Sequence, residues 1–420
     1  MKQYVIIGNS AAGIAAIEAI SARDKGAKII VISDEDYPSY CRCLISYFLA
    51  GEVKEDKLAY RPESFYKEHN VELHLNKKVT RVDPAKNRVV CADKSSFSYD
   101  SLLIATGGRP KFPELPGIKK EGVFGFWTVK DAKEISGLLP VTKAVCVLGG
   151  GLIGLKAACA LRKRGIDVKV VIKSKQILSQ MLDADAAILA QKRLEENGIE
   201  FLFGQDAQEI IGEGDIKALK VESGKVFSCS LVISAKGVQP NIELIKDTEI
   251  KTREGIIANE TLRTNIDNIY AAGDVCESVD ISTGGFAVNA LWPVAVEQGK
   301  VAGVNMSGER LIYEGSVGMN SIDFFGLPIV SLGVYKAGAN SGMEELKLAN
   351  LKQGYYKKLI FNGNLLVGAV LAGDIRNSGI LLRLIREKAD VAVFKDKLLQ
   401  DNFSYPCIIN VVKEKECRYV

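Results

Sequence analysis

Short apolar runs followed by turns of small residues set the pattern of this chain. Tyr4 to Ile7 is the first run and Lys28 to Ile32 the second; between them an alanine-rich stretch running to Arg23 reads as a helix. The pattern returns about 140 residues further on, with runs at Lys143 to Leu148 and Asp167 to Ile172 and a helical segment from Leu155 to Arg164 between them. Strands this short and uniformly apolar, alternating with helices, predict parallel sheets buried on both faces.

The turns that join strand to helix carry the chemistry. The first is Gly8-Asn9-Ser10-Ala11-Ala12-Gly13 and the second Gly149-Gly150-Gly151-Leu152-Ile153-Gly154. Glycine permits the tight turn and close helix packing, and the helix N-terminus then faces a pyrophosphate. Ser10 replaces the middle glycine and is still small enough for close backbone approach. The acidic pair Asp34-Glu35, about twenty residues on, stands where a ribose hydroxyl needs an acceptor. In the second unit that place holds Lys173-Ser174-Lys175, and cations there suit a 2′-phosphate, a lean toward NADP(H). The fold class follows: α/β, with two Rossmann-like dinucleotide-binding domains and a C-terminal α+β domain.

Two further strands, in YDSLLIATGGRP at 99 to 110 and IYAAGDV at 269 to 275, end in a glycine beside a polar residue. Such strand ends line the ligand crevice of a doubly wound sheet.

Composition narrows the classes. The 420 residues carry 55 basic and 51 acidic side chains, a net charge of +4 with no concentrated basic footprint, which sets nucleic acid aside. The nine cysteines are odd in number and sit mostly in apolar runs, the usage of a reduced, cytoplasmic protein. With no C-x-x-C, and only His69 and His74 as histidines, no metal site is expected. Asn9, Ser10 and Glu18 interrupt the N-terminal apolar stretch, so it does not read as a signal peptide. The longest apolar run, Ala144 to Leu155, is too short to span a bilayer and holds four glycines.

Taken together, ATG at 105 to 107, GGGLIG, SAKGVQPN at 234 to 241, AAGDV and AVEQG at 295 to 299 resemble the two-dinucleotide-binding flavoprotein reductases of the pyridine nucleotide-disulfide oxidoreductase superfamily, over essentially the whole chain. The resemblance implies FAD on residues 1–110 and 240–315, NAD(P) on 111–239, and a closing interface domain at 316–420. It places Ala105, Thr106, Gly107, Arg109, Gly237 and Gly273 at the cofactors, Asp274 on the ribityl chain and Val79 near the adenine. The backbone around Glu297 and Gln298 would face the flavin pyrimidine edge, with Trp292 near the isoalloxazine or the mouth of the site.

Residues 39 to 51, SYCRCLISYFLAG, set this chain apart from the C-x-x-x-x-C disulfide reductases. On a regular helix the Cys41 and Cys43 side chains point apart, and on a strand their Cα atoms lie near the limit for a bridge, so a disulfide between them is disfavoured. The segment is similar to the R-P-x-L-S segment of NADH:rubredoxin reductases and of the flavin part of NAD(P)H nitrite reductases. That similarity implies that Arg42 reaches the FAD phosphates or ribose. Cys43 has two readings: a small residue packed under the flavin, or the single redox thiol of CoA-disulfide reductases. The rubredoxin branch pairs a lysine, at the position of Tyr47, with a glutamate, at that of Lys156. Here the cation comes from Lys156, which would stabilise anionic reduced flavin.

The expected activity is FAD-dependent oxidoreduction between NAD(P)H and a rubredoxin- or ferredoxin-type iron–sulfur protein or subunit, with hydride passing to flavin N5. Flavoproteins of this build also occur beside a carbon monoxide dehydrogenase, and the hairpin-rich C-terminal domain, with its Asn362-Gly363 turn, resembles a surface for docking or for a homodimer. One rival is a CoA-disulfide or persulfide reductase using Cys43; another is a flavin-bearing subunit or sensor with little turnover.

Overall fold

The structure, a computed structural model, describes residues 1–338, 341–400 and 403–408. The first sheet is wholly parallel, in the order Ile269–Ala271, Ser101–Ile104, Gln3–Ile7, Lys28–Ile32, Val71–His74. The second repeats the plan, in the order Ile199–Phe203, Asp167–Ile172, Ala144–Leu148, Leu231–Ser234, Val123–Phe124. The uniform apolar runs are explained by helices and crossover strands on both faces: Val5, Ile6, Val147 and Leu148 are fully inaccessible. Each unit also carries an antiparallel three-stranded meander, Val79–Asp83, Arg88–Cys91 and Ser96–Ser98 in the first, and Ala207–Ile211, Ala218–Val221 and Val226–Ser228 in the second.

The chain passes between the units twice, and the two passages pair with each other as the antiparallel ribbon Gly108–Pro110 and Val238–Pro240. Asn241 fastens one end: its carbonyl accepts from Thr106 Oγ1 at 2.8 Å and its amide nitrogen donates to the Thr106 carbonyl at 2.9 Å. Arg109 pairs with Glu243 and donates to Asn241 Oδ1 at 3.1 Å.

Beyond the two units lies an antiparallel five-stranded sheet, in the order Met319–Phe324, Leu327–Gly333, Leu365–Ala372, Tyr355–Asn362, Glu344–Asn350, backed by the helix Ser378–Glu387. Its central hairpin closes on Gly363 and Asn364, since Asn362 still pairs with Leu365. The positive φ of +58° falls on Gly363, as a tight hairpin requires.

This sheet is bound to the second unit by polar contacts. Lys358, whose side chain is 2% exposed, lies 2.6 Å from Asp183, the N-cap of the helix Ala184–Glu196, and Tyr356 donates to the same carboxylate. Burial raises the Asp183 carboxyl pKa, but the bonds from Lys358, Tyr356 and the Ala186 N–H outweigh it and hold the group below its usual range. Ser331 Oγ and Tyr335 Oη donate to the carbonyls of Met181 and Ser179, at 2.8 Å and 3.0 Å.

The N-terminal helix, Ala11–Arg23, packs on Trp292–Met306 through small residues. A Cβ on Gly299 would stand 2.1 Å from the Ala12 carbonyl oxygen, and one on Gly303 would stand 2.8 Å from that of Ala16. We predict that Gly299→Val costs about 2 kcal/mol in urea unfolding and loosens the turn at residues 8–13, because overpacking must drive the helices apart. Lys358→Met removes the cation from the half-buried Asp183 carboxylate, which keeps its bonds from Tyr356 and the Ala186 N–H, and is expected to cost about 2 kcal/mol. Because the Asp183 pKa is depressed, this contribution is present above the unfolded pKa of about 4 and fades as the pH falls through the folded value, so the wild-type and variant stabilities converge in acid.

Candidate active site

The ends of the parallel strands open on one cleft of about 870 Å³, walled by both units. Gly8 begins the first wall. Its φ is +119° and a Cβ there would meet the Ala105 carbonyl oxygen at 2.0 Å, so only glycine turns the chain here. Ser10, Ala11 and Ala12 follow at the start of a helix whose N-cap makes no side-chain hydrogen bond, leaving its first N–H groups directed at the cleft. Gly13, one turn in, is buried against the Gly8 carbonyl. In the second unit Gly149 repeats the bend, at φ +116°, and Gly154 packs over the Gly149 carbonyl; at Gly151 an added Cβ would meet only open space. Leu152, Ile153 and Lys156 line the cleft.

Ala105, Thr106, Gly107 and Arg109 line the cleft from the strand after the first meander, Gly273 and Asp274 from the AAGDV turn, and Val79 from the edge. Trp292 lies there too, at the head of its helix, edge-on to Tyr60 with ring centroids 4.9 Å apart. Asp34 and Glu35 both line it, but Glu35 is engaged by Arg42 and accepts from Tyr40 Oη at 2.6 Å. Arg42 also donates to the Trp127 carbonyl at 3.0 Å and lies over the Tyr40 ring. The two residues expected to bind ribose and phosphate are therefore joined to each other in this structure, and Arg42 bridges the first unit to Trp127, just beyond the edge strand Val123–Phe124 of the second.

Lys156 and Tyr47 meet across the units, with the ammonium 5.1 Å from the ring centroid. No ion pair joins Lys156 to another described residue, and its ammonium faces the Tyr47 ring at the cleft. Cys43 is exposed on the cleft wall. Both histidines lie elsewhere, His69 against Phe65 and His74 bonded to Glu72.

Several expected residues stand off the cleft. Lys173 and Lys175 are exposed beyond the end of the strand Asp167–Ile172, without ion pairs to described residues. Gly237 is a turn residue whose carbonyl accepts from the Lys111 N–H at 2.8 Å. Glu297 reaches Arg386 on the C-terminal helix at 3.1 Å. Gln298 is buried and accepts from the Gly273 N–H at 2.7 Å while donating to Ser278 Oγ at 3.1 Å, which holds the AAGDV turn in place. The residues that sequence reasoning missed include Lys77 and Lys78, which follow a strand end and were open to the same argument as Asp34; Trp127 and Ser321 line the cleft with no local signal.

A dinucleotide fits this donor set. Asn9 Nδ2 is buried with no partner at the pyrophosphate turn. The Asp274 carboxylate accepts no hydrogen bond from the described residues; burial pushes its pKa up and Arg42 pulls it partly back. An unpaired buried amide donor and an unpaired buried acceptor are what a phosphate oxygen and a polyol hydroxyl would satisfy.

Residues 2–299 match the pyridine nucleotide-disulphide oxidoreductase family and residues 319–389 the rubredoxin NAD+ reductase C-terminal domain. An NAD(P)H nitrite reductase of Bacillus subtilis is 34% identical over 394 residues, 93% of this chain and 48% of that protein. The chain spans about half the length of the curated relatives it matches first. The epsilon subunit of an NADH-dependent phenylglyoxylate dehydrogenase from Aromatoleum evansii is 28% identical over 400 residues, 94% of each chain. Among solved structures, an NAD-dependent persulfide reductase from A. fulgidus superposes with a TM-score of 0.85 at 27% identity, over 92% of this chain and 77% of that one. With two parallel-sheet units meeting at a glycine-walled cleft and a family match across both, the chain belongs to the pyridine nucleotide-disulphide oxidoreductase family of FAD- and NAD(P)-dependent enzymes.

Proposed function

We propose that this protein moves electrons between NAD(P)H and a one-electron iron–sulfur carrier protein. The observation that carries this reading is the C-terminal unit. It matches the C-terminal domain of rubredoxin NAD+ reductase, and it reaches the cofactor cleft, whose wall includes Ser321 from its first strand. A partner docked on that sheet is brought to the mouth of the cleft. The relation to a subunit of an NADH-dependent dehydrogenase over nearly its full length supports work alongside a protein partner.

Bound FAD supplies the conversion of a hydride into single electrons. What the chain's own residues do is bind and tune. The N–H groups at residues 10–12 and Asn9 hold the pyrophosphate, Asp274 accepts from the polyol chain, and Lys156 sets a positive charge beside Tyr47. No histidine stands at the cleft to pass a proton, which fits hydride and electron transfer better than peroxide chemistry.

A second reading is favoured by one observation: Cys43 is exposed on the cleft wall. The site then reduces a low-molecular-weight disulfide or persulfide.

Anaerobic stopped-flow reduction of the holoprotein by NADH and by NADPH, followed by delivery to a rubredoxin, tests the first reading. We expect fast bleaching and a carrier-reduction rate that survives Cys43→Ser; loss of that rate in the variant overturns it. Lys156→Met is expected to slow flavin reduction about tenfold, equivalent to ~1.4 kcal/mol of lost charge stabilisation. An unchanged rate would show that this lysine does not act on the flavin.

A further inference from the structure

Residues 173–182 form neither helix nor strand. They leave the strand Asp167–Ile172 at the place where a doubly wound unit sets the wall beside an adenosine ribose, and they lead into the helix Ala184–Glu196. Two bonds close the segment on itself: Ser174 Oγ donates to the Gln176 carbonyl at 2.6 Å, and Gln176 Nε2 to the Leu182 carbonyl at 3.0 Å. A third leaves it, from the Leu178 N–H to the Gly150 carbonyl at 2.8 Å. The segment is thus bonded to the second glycine turn, and a shift of one is passed to the other.

The shape of the segment is imposed from outside. Leu178 stands at φ +50°, a left-handed conformation that strains a leucine and persists where its surroundings hold it. Those surroundings belong to the C-terminal sheet. Tyr335 Oη donates to the Ser179 carbonyl at 3.0 Å and Ser331 Oγ to the Met181 carbonyl at 2.8 Å, so two of the three residues that follow the strained position are tied across the domain boundary. Asp183, where the segment ends, lies 2.6 Å from Lys358. Ile177, Leu178 and Leu182 are buried in one apolar cluster with Phe324, Leu327 and Ile329 of that sheet.

We propose that Ser331 and Tyr335 are positioning residues for the nicotinamide nucleotide. They hold residues 178–181 so that the Leu178–Gly150 contact keeps the adenosine wall in register with the pyrophosphate turn. The proposal rests on NAD(P)H as the electron donor and on its seat at that turn, and it gives the C-terminal domain a task toward the nucleotide besides docking a partner. The effect falls on one half of the ligand. The segment stands beside the adenylate half, whereas Leu152, Ile153 and Lys156, on the helix beyond the turn, form the wall that this unit gives to the cleft.

Anaerobic stopped-flow reduction of the FAD-loaded protein over a range of nucleotide concentrations separates the nucleotide Kd from the limiting rate of flavin reduction. Tyr335→Phe keeps the ring and removes only the hydroxyl; Ser331→Ala added to it removes both ties. We expect the Kd of the faster-reacting of NADH and NADPH to rise about fivefold in the double variant, and less in Tyr335→Phe, with the limiting rate unchanged. Reduction by reduced nicotinamide mononucleotide, which lacks the adenylate half, should keep the wild-type rate in both. A wild-type Kd in the double variant overturns the proposal. So does an equal loss with the mononucleotide, since the effect would then belong to the fold as a whole.

Gly151→Glu tests the seat separately. A Cβ there meets only open space, so the backbone accepts the change while the carboxylate repels a pyrophosphate. A raised Kd in this variant, with no change on removing the two hydroxyls, overturns the positioning role and leaves the seat standing. An unchanged Kd in Gly151→Glu overturns the seat and the proposal together. Failure of either nucleotide to reduce the wild type overturns the donor reading and with it the proposal.

Discussion

The close approach of two helices governs this structure. Ala11–Arg23 and Trp292–Met306 meet with Gly299 and Gly303 directly against the backbone of Ala12 and Ala16. No side chain separates them, so the turn that begins at Gly8 and the turn that ends at Asp274 are held at a fixed distance. One turn comes from the start of the chain and the other from beyond residue 270, yet they form two lips of one cleft. Gln298 tightens the arrangement, since a residue of the second helix accepts the Gly273 N–H.

Much of the architecture was legible because parallel strands buried on both faces leave no room for polar residues, and the runs at Val5, Ile30, Val147 and Val170 carry that constraint in plain form. The glycine turns were equally legible, since positive φ at Gly8 and Gly149 excludes nearly every other residue. Pairwise partnership was less so. Nothing local says that Arg42 turns to Glu35 and the Trp127 carbonyl, or that Glu297 reaches Arg386 on a helix close to ninety residues away. These are long-range choices made by packing, and short motifs do not record them.

The C-x-C segment shows the same limit more sharply. Spacing arguments assume a regular backbone, and for regular backbones they hold. Here Cys41 is an extended residue beside the isolated Tyr40–Ala59 bridge and a tight turn begins at Arg42, so the geometry of the motif belongs to neither class. Buried Lys358 was hidden for a related reason, because a lysine inside an otherwise apolar strand looks like a solvent residue until its acceptor, Asp183 in another unit, is known.

The ribbon formed by Gly108–Pro110 and Val238–Pro240 carries a mechanical consequence. Two independent tethers would let one unit slide and rotate freely against the other, but tethers bonded to each other behave as a single leaf. A leaf bends across its thin direction and resists shear within its plane. The paired passages therefore oppose sliding of the second unit past the first, and Arg109, Glu243 and Asn241 fasten the end of the ribbon.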